Sequence, residues 1–255
     1  MGKGILVVSF GTSYKETSKK CIESIENKIE SVYVKYIVKR AFTSDFIIKK
    51  IKERDGICID TPLEALEKMI VSGINEIHVQ PLHIIPGFEY EKIKRAVVLV
   101  KHRHNVKITI GSPLLNREEH YDQVIEALIN RLPNENDNEG IILMGHGTEH
   151  FSNACYSMLQ NKINDKRKDI LIANVEGYPE IENIMKKIKG KYLKILLMPL
   201  MIVAGDHANN DMAGDEDSYK TKLESQNIQV SYILEGLGQN EMIQDIFINR
   251  IAEFI

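Results

Sequence analysis

The sequence predicts an α/β protein built from two similar, doubly wound parallel-sheet halves. Three observations carry that prediction. Continuous apolar runs of strand length alternate with segments whose apolar residues recur every three or four positions, the mark of a parallel sheet covered by helices on both faces. The same order of short motifs occurs twice. The 255 residues, 43% hydrophobic and 27% charged, suffice for one large domain or two small ones without disulfide or metal staples.

In the first half, residues 5–10 form a continuous apolar run closed by Gly11. Cys21, Ile22, Ile25 and Ile29 follow at helical spacing. Residues 32–42 read as a strand, and Ile57-Cys58-Ile59 is a short apolar stretch. Thr61-Pro62 opens a helix carrying Leu63, Leu66, Met69 and Ile70, because threonine caps a helix and proline fits its first position. Residues 76–85 are a further apolar strand.

The second half repeats this order. Gly140 to Thr148 echoes the first strand and its Phe10-Gly11-Thr12 turn. Residues 170–175 read as a strand. Tyr178-Pro179 opens a helix with Ile181, Ile184, Met185 and Ile188, as Thr61-Pro62 did. Residues 197–205 match 79–87, and Ile129-Asn130-Arg131 returns as Ile248-Asn249-Arg250. Four matches in one order predict two copies of a unit, over residues 1–132 and 140–255. They are joined by a Pro-, Asn- and acid-rich stretch, with the last helix available to brace the first half.

Composition excludes several classes. The net charge of −3, from 33 basic and 36 acidic residues, gives no basic footprint for nucleic acid. Three scattered cysteines, Cys21, Cys58 and Cys155, form no CxxC pair and suit a reducing compartment. The longest uncharged apolar run, residues 195–204, is too short for a membrane span and contains Pro199. The N-terminal apolar stretch is too short for a signal peptide. The expectation is a cytoplasmic protein without membrane partners; the sequence leaves its oligomeric state, including a homo-oligomer, open.

In open parallel α/β sheets, ligands bind beyond the carboxyl ends of the strands. In the second half the polar residues there are His146, Glu176 and His207. Two imidazoles and a carboxylate suit a divalent first-row ion such as Co2+, Fe2+ or Ni2+, and the lack of thiolates argues against a closed structural zinc site. By the repeat, Phe10 is the counterpart of His146, and Glu89 of His207. If the halves face one another, Phe10 and Glu89 look towards the metal-competent set. Gly11-Thr12-Ser13 and Gly147-Thr148 lead from strand to helix, where backbone N–H groups suit an anion or simply cap the helix. The acidic run Asp211, Asp215, Glu216 and Asp217 is either a cation attractor or a solvated loop.

The other histidines read as structural. His78 and His83 pack in the core, His102 and His104 lie at a solvated helix end, and His120 begins a surface helix. His146-Gly147-Thr148-Glu149-His150 matches the HxxEH string of inverted zinc peptidases. A strand-ending histidine followed by a glycine turn does not supply the helical face that this chemistry needs. Gly2-Lys3-Gly4 precedes a strand, so it is no dinucleotide fingerprint, and no P-loop lysine motif occurs.

Ser9-Phe10-Gly11-Thr12-Ser13, Arg40-Ala41-Phe42-Thr43-Ser44 and residues 81–89 resemble the anaerobic cobalt chelatase (CbiK type) family. So do Gly145-His146-Gly147-Thr148, Val175-Glu176-Gly177-Tyr178-Pro179 and residues 206–215. The family belongs to the class II chelatases, related in fold to ferrochelatase. The resemblance covers nearly the whole chain. It implies ATP-independent insertion of Co2+ into sirohydrochlorin, with no organic cofactor. It further implies metal ligands at His146, Glu176 and His207, with Glu89 as the acid across a cleft. Phe10 and Phe88 become candidates for packing on the tetrapyrrole. Arg40, Lys92 and Arg95 become candidates for its carboxylates. Insertion of Fe2+, giving sirohaem, and non-catalytic binding of metal or tetrapyrrole are the alternatives.

Overall fold

The computed structural model describes residues 2–255. Two four-stranded sheets, all parallel, organise the chain. The first holds β1 (Gly2–Ser9), β2 (Ile37–Phe42), β3 (Ile74–Pro81) and β4 (Lys107–Ile110), ordered β2-β1-β3-β4. The second holds β5 (Glu139–Gly147), β6 (Ile170–Glu176), β7 (Lys194–Pro199) and β8 (Gln229–Tyr232), ordered β6-β5-β7-β8. The repeat in sequence is thus a repeat in topology. Even the register matches: Val8 pairs with Pro81 and Met144 with Pro199. Leu82 N–H donates to Val8 O and Leu200 N–H to Met144 O, each at 2.7 Å.

Helices cover both sheets. In the first half these are α1 (Lys15–Thr17), which passes through a π turn into α2 (Ser24–Val32), then α3 (Asp45–Asp55), α4 (Pro62–Val71) and α5 (Phe88–Arg103). The α4 start is a full capping box: Thr61 Oγ1 accepts from Glu64 N–H, and the Glu64 carboxylate accepts from Thr61 N–H at 2.8 Å. The first core joins Leu6, Val8 and Val79 of the strands to Leu66, Ile93 and Val97 of the helices.

The second half adds α6 (Glu118–Ile129), α7 (Ala154–Asn164), α8 (Ile181–Ile188) and α9 (Tyr219–Glu224), and α10 (Glu241–Ala252) closes the chain. A separate core forms around Ile142, Met144, Leu197, Ile184 and Leu223.

The compact units are residues 1–116 with 238–255, and residues 117–237. This moves the boundary from the expected 132–140 stretch to the start of α6. The physical reason is that α6 packs on α7 of the second unit, whereas α10 packs on α2 and β3 of the first. The repeated arginines reflect this. Arg131 pairs with Glu235 inside the second unit, and Arg250 donates to the carbonyls of Ser112, Pro113 and Leu114 inside the first.

Four local expectations change. Residues 32–42 are not one strand: Val32 ends α2, Tyr33 N–H still donates to Ile29 O, and β2 begins at Ile37. The helix after Tyr178-Pro179 begins at Ile181, with Glu180 N–H held by Asn183 Oδ1 at 2.9 Å. His120 is buried, because the α6 face that carries it turns inward. The short strands β4 and β8 close the sheets where no strand was expected.

His78 and His83 are buried as expected. Burial lowers the His78 imidazole from 6.5 to about 4. Burial, with the Lys92 charge adding to it, lowers His83 likewise to about 4. Both rings stay neutral in the native state while the unfolded chain takes up protons below pH 6.5. The stability of the first unit therefore falls as pH drops from about 6.5 to about 4, by roughly 3 kcal/mol per imidazole. Denaturant titrations at stepped pH should show this slope, and His78→Phe should remove part of it.

Candidate metal centre

The site of interest lies at the carboxyl edge of the second sheet. His146 is the penultimate residue of β5, and Gly147 follows at φ +74°. That left-handed turn excludes ordinary side chains. A Cβ at Gly147 would also collide with the Glu176 carbonyl, which is its strand partner on β6. The turn therefore lets the ends of β5 and β6 touch.

His207 comes from the loop after β7, at the start of a π-helical turn, Ala208–Met212. The two rings, distant in sequence, meet edge to face with centroids 4.7 Å apart. Each has its Nδ1 engaged. His146 Nδ1 lies 2.9 Å from Gly147 O, and His207 Nδ1 lies 2.7 Å from Asp211 Oδ2. A carbonyl only accepts, so His146 Nδ1 carries the proton, and the Asp211 carboxylate fixes the same tautomer in His207. Both Nε2 atoms are left with a lone pair, the form in which imidazole binds a metal or takes a proton. A carboxylate behind an imidazole is the usual outer support of a metal ligand. Asp211→Ala should therefore weaken Co2+ binding about 10- to 100-fold while leaving the fold intact, as read by metal titration and circular dichroism.

Sequence alone places Asp211 in an acidic run and does not pair it with His207. The available signal was its spacing, four residues after His207 in a helical turn. The rest of that loop is largely spoken for: Asp215 pairs with Lys220 at 3.0 Å and Asp217 with Lys222 at 3.2 Å.

Glu176 ends β6 with its side chain exposed. It is not drawn into the histidine pair. Among the described residues, no three His, Cys, Asp or Glu side chains form a metal-holding group. The strand period gives the reason. His146 alternates with Gly145 and Gly147 and shares a face with Ile142 and Met144 of the second core. Glu176 shares its face with Asn174, which lies against Gly145 and Gly147. Adjacent in the ladder, the two side chains start from opposite faces.

In the first unit, Phe10 and Phe88 are 43% and 55% exposed. Gly11 has φ +94°. Thr12 and Ser13 are buried, and Thr12 Oγ1 accepts from Tyr14 N–H at 3.3 Å, so this turn caps its own chain. Glu89 lies in the first turn of α5 and pairs with Lys92 at 2.8 Å. Arg40 is committed to Glu26, through Nε to Oε1 at 2.8 Å and a second bond. Arg95 is exposed. The HxxEH string adopts no helical face: His150 precedes a short 3-10 turn and holds Ser152 Oγ at 2.8 Å. No described helix is long and apolar enough to cross a membrane.

Comparison with known proteins adds to this geometry. The profile of the cobalt chelatase (CbiK) family matches residues 3–255. A sirohydrochlorin cobaltochelatase of Salmonella typhimurium is 41% identical over 255 residues, spanning 99% of this chain and 96% of that protein. The sirohydrochlorin cobaltochelatase CbiKC of Nitratidesulfovibrio vulgaris is 28% identical over 258 residues, spanning 98% and 89%. The solved structure of SirB from Bacillus subtilis with Fe3+ has the same fold, with a TM-score of 0.69 at 17% identity, over 99% of this chain and 95% of that one.

Proposed function

The chain belongs to the cobalt chelatase (CbiK) family, and from that membership we propose that it inserts Co2+ into sirohydrochlorin, without ATP, in anaerobic cobalamin synthesis. The observation that supports this reading most strongly is the His146–His207 pair, with both Nδ1 positions engaged and both Nε2 lone pairs free to meet an ion.

Metallation exchanges two pyrrole N–H protons for one divalent ion, which sheds its waters stepwise. His146 and His207 receive the ion through Nε2, and imidazole suits a late first-row metal. Glu176 completes the set by turning its exposed carboxylate over the end of β6. His146 cannot hold the metal and accept a proton through one nitrogen at once. Metal transfer therefore frees His146 as a base, and Glu89 shares the proton load. Phe10 and Phe88 offer exposed apolar rings to the macrocycle.

The test is an anaerobic assay of the purified protein with sirohydrochlorin and Co2+, followed by absorbance, with Fe2+ run in parallel. Cobalt insertion above the uncatalysed rate, and faster than iron insertion at equal free metal, is expected. No enhancement over the uncatalysed rate rejects the reading.

A further inference from the structure

A second polar cluster lies in the first unit, at the carboxyl edge of its own sheet. Ser9 ends β1, Thr43 follows β2, and His83 lies two residues beyond β3. The strand order brings these ends side by side: Thr43 N–H donates to Ser9 O at 2.9 Å, and Leu82 N–H to Val8 O at 2.7 Å. Lys92, on the second turn of α5, reaches over the edge. Its Nζ donates to Thr43 O at 3.2 Å and pairs with Glu89 Oε1 at 2.8 Å. The Lys92 charge is also felt at His83.

Five polar side-chain atoms here are buried without a hydrogen-bond partner: Ser9 Oγ, Thr43 Oγ1, both ring nitrogens of His83 and Glu89 Oε2. Ser9 and Thr43 are 3% exposed and His83 is 8% exposed. Buried polar groups are almost always satisfied, so five orphans on one edge call for a polar occupant. The groups define its sign. Two hydroxyls and a neutral imidazole can each donate or accept, so the Lys92 ammonium decides the sign, and the Glu89 carboxylate, which only accepts, already leans on it. Three buried groups able to donate, at the sheet edge that a lysine ammonium covers, suit an anion. The way in is through Lys92 and Glu89, whose side chains are part-exposed.

We propose that Ser9, Thr43, His83 and Lys92 form a subsite for one carboxylate of the substrate, and that filling it releases Glu89 from its ion pair. The assignment of a polycarboxylate tetrapyrrole as ligand rests on the proposed function. An entering carboxylate takes the place of Glu89 on Lys92 and gains the hydroxyl and imidazole N–H donors. Glu89 is then free to accept a pyrrole proton only when substrate is seated. Seating the carboxylate changes no covalent bond. When the metal enters, a pyrrole N–H bond breaks, its electron pair stays on the nitrogen for the ion, and the proton forms an O–H bond on the Glu89 carboxylate.

The test uses equilibrium binding, so that it stands apart from turnover. Binding of metal-free uroporphyrin, a tetrapyrrole bearing acidic side chains, and of its fully esterified form is followed by fluorescence quenching. It is measured with the whole protein and with Lys92→Met, Lys92→Arg, Thr43→Val and Thr43→Ser. The expected result is a roughly tenfold or greater loss of affinity for the acid in Lys92→Met and Thr43→Val. Arg and Ser should recover much of it, and the ester should show no loss. In the sirohydrochlorin assay the same variants should raise KM more than they lower kcat, with Co2+ titration of the protein alone unchanged. Equal losses for acid and ester, or no loss in folded Lys92→Met, overturn the subsite. If wild-type protein binds uroporphyrin in this variant-sensitive way yet fails to metallate sirohydrochlorin, the proposed function fails and the subsite stands.

Discussion

Replacing His146 by alanine should lower kcat/KM for cobalt insertion by about 10^3-fold, and His207→Ala should do nearly the same. In the proposed function the two rings act through one arrangement, in contact and each presenting Nε2. Removing either leaves the ion with half of its imidazole donors and the pyrrole protons with a poorer acceptor. Groups that work as a unit are strongly non-additive. The double variant should therefore be little worse than either single one, whereas independent roles would multiply to about 10^6. His150→Ala is the matched control. It lies in the same short string but turns away into the Ser152 contact, and should keep near-normal activity. Stability should change little in the His207 variant, since that ring is only half-buried.

The second large effect is on folding. Gly147→Ala should destabilise the second unit by about 4 kcal/mol or more, a size reserved for a few mechanisms. Two of them act together here. The residue has φ +74°, where alanine is strained, and the added methyl would enter the Glu176 carbonyl on the neighbouring strand. The neighbour is backbone inside a paired strand, so relief requires the ends of β5 and β6 to separate. Since this glycine aligns the strand ends that carry His146 and Glu176, metal binding should fall even in whatever fraction remains folded. Gly190→Ala makes the comparison: its φ is +71°, but nothing lies within reach of a new methyl. It should cost only about 1 kcal/mol, the price of the backbone alone. Thermal unfolding of the two variants separates strain from collision.

Much of this architecture was legible because a repeat doubles the signal. Val79-Gln80-Pro81-Leu82 and Leu197-Met198-Pro199-Leu200 predicted equivalent strands, and both prolines occupy the same register position beside β1 and β5. His146 and His207 were legible because residues beyond continuous apolar strands must gather at one edge of a parallel sheet. What was not legible depends on packing. The period of two gives each strand residue a face, and Glu176 leaves β6 on the face opposite His146, so joining the histidine pair requires its carboxylate to turn over the strand end, a movement no sequence pattern encodes.

Helix partners were hidden for a similar reason. The apolar faces of α6 and α10 are real in the sequence, but nothing local says which sheet each will cover. The stretch at Val32-Tyr33-Val34 has strand-forming residues, yet Val34 is 78% exposed in a turn, where propensity alone misleads. The polar edge formed by Ser9, Thr43 and His83 could not be read from sequence either. Its meaning lies in the partners these groups lack, which only coordinates reveal.

The proposed function requires that an entering Co2+ ion be held by His146 and His207 through Nε2. X-ray absorption at the cobalt edge, on protein loaded with one equivalent of Co2+, tests it most directly. Scattering from two imidazole rings in the wild type, falling to one in His146→Ala and in His207→Ala, is the predicted result. A cobalt environment of oxygen donors alone, or one that both variants leave unchanged, would contradict it.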